Sequence, residues 1–474
     1  MYMLEKKFAL KISTILASSY YKDWINYFEK VLRATRSKRH KDKKDVLLAL
    51  QWKLAKLETQ LWDLLREGRG KAKTLHEKTN LTTKEQKDLD GIENHILIHE
   101  QLIRISRTIC DGIAWRNLDY NRTFLNSSAR GFGAGSVDAK SKEFRSELEW
   151  AYRISKGLNS LVILNDLTRF LRIGDITEIN EGMAFIHEIK KYGKDVKNIF
   201  TLKRVKGKAK ISSQAKRLLE LQRIAFANKA KIYGIDIGTR KIDLDLKTNV
   251  VRIKKLFRES EKKFVVSEYV DDCIHVEVTN FKAIKESRKP IDIEELKKLS
   301  PKNKTNDLVL IHSNWDTFYS DKKGNFVRSA PPYSIFPLSA KDCLYLMSGY
   351  YLVKCTLNVT KLKEILKQHS WEIEERTEAD LDKQIADFEK EKDTMFTVKE
   401  GLYTHAPDDG GLFTIRRGPF SVALDTMLYA RLTMEYLTLD SFLNILEEMY
   451  KVAAQRQSSD AYFPRFKNEA ELWN

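Results

Sequence analysis

What this chain lacks limits what it can be. Its four cysteines, Cys110, Cys273, Cys343 and Cys355, stand far apart, with no CxxC pair and no histidine cluster to complete a zinc site. That excludes a disulfide-stapled domain and a structural zinc module, and leaves buried free thiols in a reducing compartment as the expectation. Eight prolines and 20 glycines among 474 residues are too few for a collagen-like or low-complexity chain. No apolar run reaches the roughly 18 residues of a membrane span. Residues 8–21 are apolar but broken by Lys11 and rich in serine, without the length or cleavage pattern of a signal peptide. A cytoplasmic protein is the expectation. The loop around Gly131, Gly133 and Gly135 lacks the Gly-Lys-Ser/Thr of a Walker motif, so it reads as a hinge, and no ATPase is indicated.

What is present is positive charge. Lysine and arginine (84) outnumber aspartate and glutamate (66), a formal excess of +18. Such a balance favours a polyanionic partner, most often nucleic acid. The length exceeds what one core accommodates, so several domains are expected. Residues 1–130 read as a helical region. Leu47, Leu50, Leu54, Leu57, Leu61 and Leu64 alternate spacings of three and four, an a/d stripe. After a polar stretch over 67–87, Ile92, Ile96, Ile103 and Ile109 mark a second helix. The two form an antiparallel hairpin or, alternatively, the seam of a homo-oligomeric coiled coil. Residues 131–240 read as helix (142–156), strand (171–179), strand (183–190), helix (213–230) and strand (232–237). A β-rich region follows over 241–330. An α/β region over 331–474 carries a charged helical arm (361–400) and a long helix (422–450). Asp271, Asp272, Cys273 and His275 lack metal-ligand spacing and read as a turn entering a strand.

The chemistry sits in Arg172-Ile173-Gly174-Asp175-Ile176 and His187-Glu188-Ile189-Lys190. Side chains alternate along a strand, so Glu188 and Lys190 are expected on one face. Asn180, Glu181 and Gly182 suit a turn, and the hairpin they close would bring Asp175 near Glu188. Two neighbouring carboxylates make a site for a hard cation, and a lysine beside them can orient a water or stabilise developing charge.

This arrangement resembles the PD-(D/E)XK, or restriction-endonuclease-like, nuclease superfamily. That core carries an acidic residue, a spacer, then Asp or Glu, one residue, and Lys, here Asp175 and Glu188-Ile189-Lys190. Gly174 stands where the pattern has proline, a frequent departure. The resemblance spans about residues 141–237. It implies an α/β fold, a mixed sheet flanked by helices, with Mg²⁺ or Mn²⁺ held by Asp175, Glu188 and an acid on the preceding helix. Glu147 is preferred over Glu149 because its spacing from Phe144 and Ala151 places it on the core-facing side. Gln222 or Gln214 on the following helix is an accessory candidate. The implied activity is Mg²⁺-dependent phosphodiester cleavage, with DNA favoured over RNA. The implied context is a bacterial antiphage or restriction-type effector with an activating partner protein. Arg36, Lys38 and Arg39 in one basic run, and Lys203, Arg204, Lys206, Lys208 and Lys210 in another, are the expected phosphate contacts. The rival readings are a nucleic-acid-binding scaffold with an inactive nuclease-like core and an oligomeric interaction protein.

Overall fold

The computed structural model describes residues 19–37, 44–120, 137–198, 229–287, 309–314, 331–375, 397–404, 413–454 and 461–466, with a few single and paired residues inside those ranges excepted and Lys11, Leu16 and Leu125 in addition. The chain mixes helices with mainly antiparallel sheets. Where the sequence suggests four segments, the chain gathers into two compact units. One comprises 1–226 with 332–350, the other 227–331 with 351–474.

The first unit is built on three helices, α1 (Ser19–Arg36), α2 (Lys44–His76) and α3 (Thr83–Asn117). Thr82 and Glu85 open α3 with a reciprocal capping box: the Thr82 hydroxyl accepts from the Glu85 amide (3.2 Å) and Glu85 Oε2 from the Thr82 amide (2.8 Å). The ion pair Arg69–Glu100 (2.9 Å) and the contact of His76 Nε2 with Glu93 Oε1 (3.1 Å) show α2 and α3 running antiparallel, one of the two arrangements expected from the sequence. The line buried along α2 is Leu47, Gln51, Leu54, Glu58, Leu61 and Leu65; Leu50, Leu57 and Leu64 are half-buried. Two polar residues therefore sit in the core, each with a partner. The Glu58 carboxylate accepts from Arg107 Nε on α3 (2.7 Å), both side chains at most 5% exposed. Gln51 reaches the edge of the sheet described next.

That sheet follows α4 (Lys142–Gly157), whose N-cap Ser141 accepts from the Phe144 amide. Its strands β1 (Leu161–Leu164), β2 (Ile176–Asn180) and β3 (Met183–His187) form an antiparallel meander in the order β1-β2-β3. β1 is an edge, and an uncovered edge leaves backbone groups without partners. Gln51 takes the place of a neighbouring strand there: Nε2 donates to the Val162 carbonyl (2.9 Å) and Oε1 accepts from the Leu164 amide (2.8 Å). After Glu188 the chain continues as β4 (Ile189–Tyr192), paired with β5 (Asp195–Asn198). The helix Ala340–Ser348 packs on α1 and α3. Gly112 on α3 admits the adjoining segment, since a Cβ there would stand 2.3 Å from Ser334 Oγ.

Several sequence expectations are corrected. The strand expected over 171–179 begins only at Ile176, and Leu161–Leu164 is an additional strand before it. The strand expected over 183–190 is two strands with different partners. The one expected over 232–237 is a hairpin, β6 (Lys229–Ile232) with β7 (Ile235–Ile242), which belongs to the second unit. There β7 pairs in parallel with Ala461–Phe466. The helix expected over 213–230 lies outside the described residues as far as 228, and its last two residues, Lys229 and Ala230, are in strand β6; the loop 131–136 also lies outside the described residues.

The second unit also contains α5 (Val250–Lys263) and the strands β8 (Val265–Asp271), β9 (Ile274–Asn280), β10 (Val309–Ser313) and β11 (Tyr351–Asn358). These strands form an antiparallel sheet in the order β10-β11-β9-β8. Val250, Ile253, Leu256 and Phe257 are the buried side of α5, and Phe257 stacks on Tyr351 with ring centroids 4.4 Å apart. Of the arm expected over 361–400, the described residues are helix to Gln368, then strands Glu372–Glu375 and Thr397–Lys399, and residues 376–396 lie outside the described residues. The helix expected over 422–450 is two helices, Thr426–Thr433 and Leu439–Ala454, separated by Tyr436 in the left-handed region (φ 56°). All four cysteines are free and buried. Burial raises each thiol above its usual pKa, which makes them poor nucleophiles. No helix among the described residues is long and apolar enough to cross a membrane.

Candidate active site

The segment between β1 and β2 is fastened before it delivers Asp175. Asn165, directly after β1, donates from its amide to the Asp175 carbonyl (3.0 Å) and from Nδ2 to the Gly174 carbonyl (3.2 Å). Its Oδ1 accepts from Thr177 Oγ1 (2.8 Å). Arg169 donates from its amide (2.6 Å) and Nε (2.7 Å) to the buried carboxylate of Asp111 on α3. Phe170 packs edge-on against Trp115. These contacts tie both ends of the loop to buried elements.

Gly174 turns the chain into β2 with φ +69°, a conformation that proline, fixed near −65°, cannot adopt. It also lies against β3: a Cβ would stand 2.5 Å from Ile186 Cγ2 and 2.8 Å from the His187 carbonyl oxygen. The glycine before Asp175 thus has a local cause. Ile176 pairs with His187 in the ladder, yet the Asp175 amide also donates to the His187 carbonyl (2.8 Å). The turn into β2 is thereby tied to the last residue of β3. The Asp175 carboxylate accepts from the Ile189 amide.

Because β2 and β3 are antiparallel, Asp175, which precedes β2, and Glu188, which follows β3, come to the same end of the hairpin. Both are half-buried. Glu188 lies between two ladders and belongs to neither, so a continuous strand face shared with Lys190 is not what the backbone forms. Lys190 is in β4, opposite Lys197, and its side chain lies outside the described residues.

Glu147 is buried on α4 in line with Phe144, Ala151 and Ile154, and α4 packs against β1, β2 and β4. Glu149 is exposed and pairs with Arg153 (2.6 Å). Among the described residues, no three of the His, Cys, Asp and Glu side chains form a metal-holding group. Glu147, Asp175 and Glu188 are thus not gathered into a three-ligand group. The pair itself suits a hard cation: its donors are all oxygen, and Mg²⁺ commonly takes one or two carboxylates and completes its shell with water and substrate phosphate.

Sequence reasoning missed a polar chain in the same sheet. Glu178, 5% exposed, accepts from Ser160 Oγ at Oε1 (2.7 Å), and its Oε2 is 3.0 Å from His187 Nε2. Burial pulls the His187 imidazole below its ordinary pKa, and the hydrogen bond and charge of Glu178 oppose that shift. Strand alternation carries the signal, because an acid in β2 and a histidine in β3 fall on one face of the hairpin.

Of the expected phosphate contacts, Arg36 is committed within the first unit. It donates to the Phe336 (2.8 Å) and Leu338 (2.7 Å) carbonyls and lies 3.0 Å from Cys343 Sγ. Arg36 is thus a tether at the end of α1, which corrects its assignment to nucleic acid. Lys38, Arg39, Lys203, Arg204, Lys206, Lys208, Lys210, Gln214 and Gln222 lie outside the described residues. Comparison with family models, with curated proteins and with solved structures finds no match for this chain.

Proposed function

We propose that this protein is a divalent-cation-dependent nuclease with a restriction-endonuclease-like core of the PD-(D/E)XK class, acting on DNA in preference to RNA. The observation that carries the reading is the meeting of Asp175 and Glu188 at one end of the β2–β3 hairpin, which follows an acid-bearing helix. Asp175 and Glu188 would hold Mg²⁺ or Mn²⁺, and Glu147 would act on the site through water. Such an ion polarises a phosphoryl oxygen and lowers the pKa of a bound water. The protein's own part is positional. Asn165 and the His187 carbonyl hold the Asp175 backbone, and the Ile189 amide holds its carboxylate, before substrate arrives; fixed geometry is what an enzyme contributes to an in-line displacement. Lys190, two residues beyond Glu188, would meet the attacking water or the developing charge. The basic run from Lys191 to Lys210 would add affinity without sequence preference. An antiphage or restriction role, and a partner that triggers the activity, follow from the resemblance alone.

Ion binding tests this reading without any substrate. Titration with Mn²⁺, followed by the loss of the free-ion electron paramagnetic resonance signal, is expected to show a site in the parent. Asp175→Asn and Glu188→Gln should each weaken it by more than about tenfold, the lower end of what even supporting residues cost in metal sites. Equal affinity in all three proteins would contradict the assignment.

A further inference from the structure

Glu178 and His187 sit on one face of the hairpin as diagonal neighbours: Glu178 is opposite Phe185, and His187 is opposite Ile176. Ser160, fully buried between α4 and β1, supplies the third member of the chain. A buried carboxylate–imidazole pair is a poor means of stabilising a sheet, because desolvation offsets most of the attraction. Apolar residues of similar volume usually do as well or better. The best-attested use of such a pair is to specify register. Register matters here more than elsewhere in the molecule. A slip of one residue moves every side chain of a strand to the opposite face. It would also carry His187 away from the Asp175 amide and shift Glu188 relative to Asp175.

We propose that the Ser160–Glu178–His187 chain is a register lock, a set of positioning residues that fixes the separation of Asp175 and Glu188 and thereby the affinity of the site for its divalent cation. The proposal rests on the nuclease reading above. Its action is indirect. The Glu178 contact fixes the His187 side chain, and the His187 carbonyl in turn receives the Asp175 amide (2.8 Å), while Glu188 is the next residue along the chain. None of the three lock residues needs to touch substrate.

The test uses the full chain and reads Mn²⁺ affinity, the Mg²⁺ concentration for half-maximal cleavage, and thermal unfolding. In Glu178→Leu/His187→Phe the pair becomes apolar and the volume is kept. The expected result is an unfolding temperature at or above the parent's, with Mn²⁺ affinity and Mg²⁺ half-saturation weakened roughly 10–100-fold. Turnover at saturating Mg²⁺ should remain close to the parent's. Glu178→Gln, which keeps the shape and hydrogen-bonding capacity, should restore most of the affinity. A purely structural role predicts the reverse, lowered unfolding temperature with unchanged affinity, and that outcome overturns the proposal. Should the double variant not fold, Ser160→Ala removes one bond of the chain with little loss of volume. It is expected to weaken Mn²⁺ binding in the same direction, and unchanged affinity there also overturns the proposal. Asp175→Asn is measured alongside. If Asp175→Asn loses Mn²⁺ and the double variant does not, the lock alone is wrong; if the parent binds no Mn²⁺, the nuclease reading falls with it.

Discussion

Lys190→Ala is expected to lose cleavage while keeping fold and nucleic-acid affinity. Lys190 is one positive charge in a chain with an excess of +18, so its removal should change little of the general attraction for phosphate. If it acts on the attacking water or on charge developing at phosphorus, its contribution is made mainly in the transition state. Removing one such contact costs about 2.7–4 kcal/mol, or on the order of 10²–10³ in rate. Lys191→Ala is the control. It is the next residue of β4, opposite Val196, and adjacent strand positions fall on opposite faces. The comparison requires single-turnover rates with Mg²⁺ for variants that unfold at matched temperatures. Equal losses in both variants, or none in Lys190→Ala, would remove Lys190 from the catalytic centre.

Gly174→Ala is expected to damage stability and the site together. A non-glycine residue held at φ +69° costs about 1–2 kcal/mol, and forcing extra volume into a packed position adds about 1–3 kcal/mol. The new methyl group would press on the His187 carbonyl, the same oxygen that receives the Asp175 amide. Relief by moving the loop would therefore displace Asp175. Denaturant unfolding should show a loss of about 2–5 kcal/mol, with cleavage reduced further than the unfolded fraction explains. Gly91→Ala, in α3 with open space around its Cβ, should gain about 0.5–1 kcal/mol instead. A Gly174→Ala protein as stable and active as the parent would mean that the turn at Gly174 is not what places Asp175.

These residues also show how far the sequence alone reaches. The α2–α3 hairpin is legible because the leucine spacing of α2, the isoleucine positions of α3 and the polar stretch between them are local signals. The actual core line of α2 is less so. Gln51 and Glu58 are buried because β1 offers a bare edge and α3 offers Arg107, partners that no periodicity in α2 records. Leu161–Leu164 is a run of four buried apolar residues, too short for its period to separate strand from helix. The hairpin that brings Asp175 and Glu188 to one end follows from turn residues and alternation. The interruption at Glu188 does not, since the exchange of one ladder for another is set by β5 rather than by the Glu-Ile-Lys triplet. Gly174 reads in the sequence as a departure from a pattern; its reason, a positive φ against a neighbouring carbonyl, exists only in three dimensions.

The most direct measurement of the central claim is incubation of the purified full chain with supercoiled plasmid, linear duplex DNA, single-stranded DNA and RNA. Each is tested with Mg²⁺, with Mn²⁺ and with EDTA, beside Asp175→Asn. The account predicts cleavage of at least one substrate, DNA before RNA, with either ion, none with EDTA, and none by Asp175→Asn. Cleavage that persists in EDTA or in Asp175→Asn would contradict it, as would intact substrates under every condition from a protein that binds them.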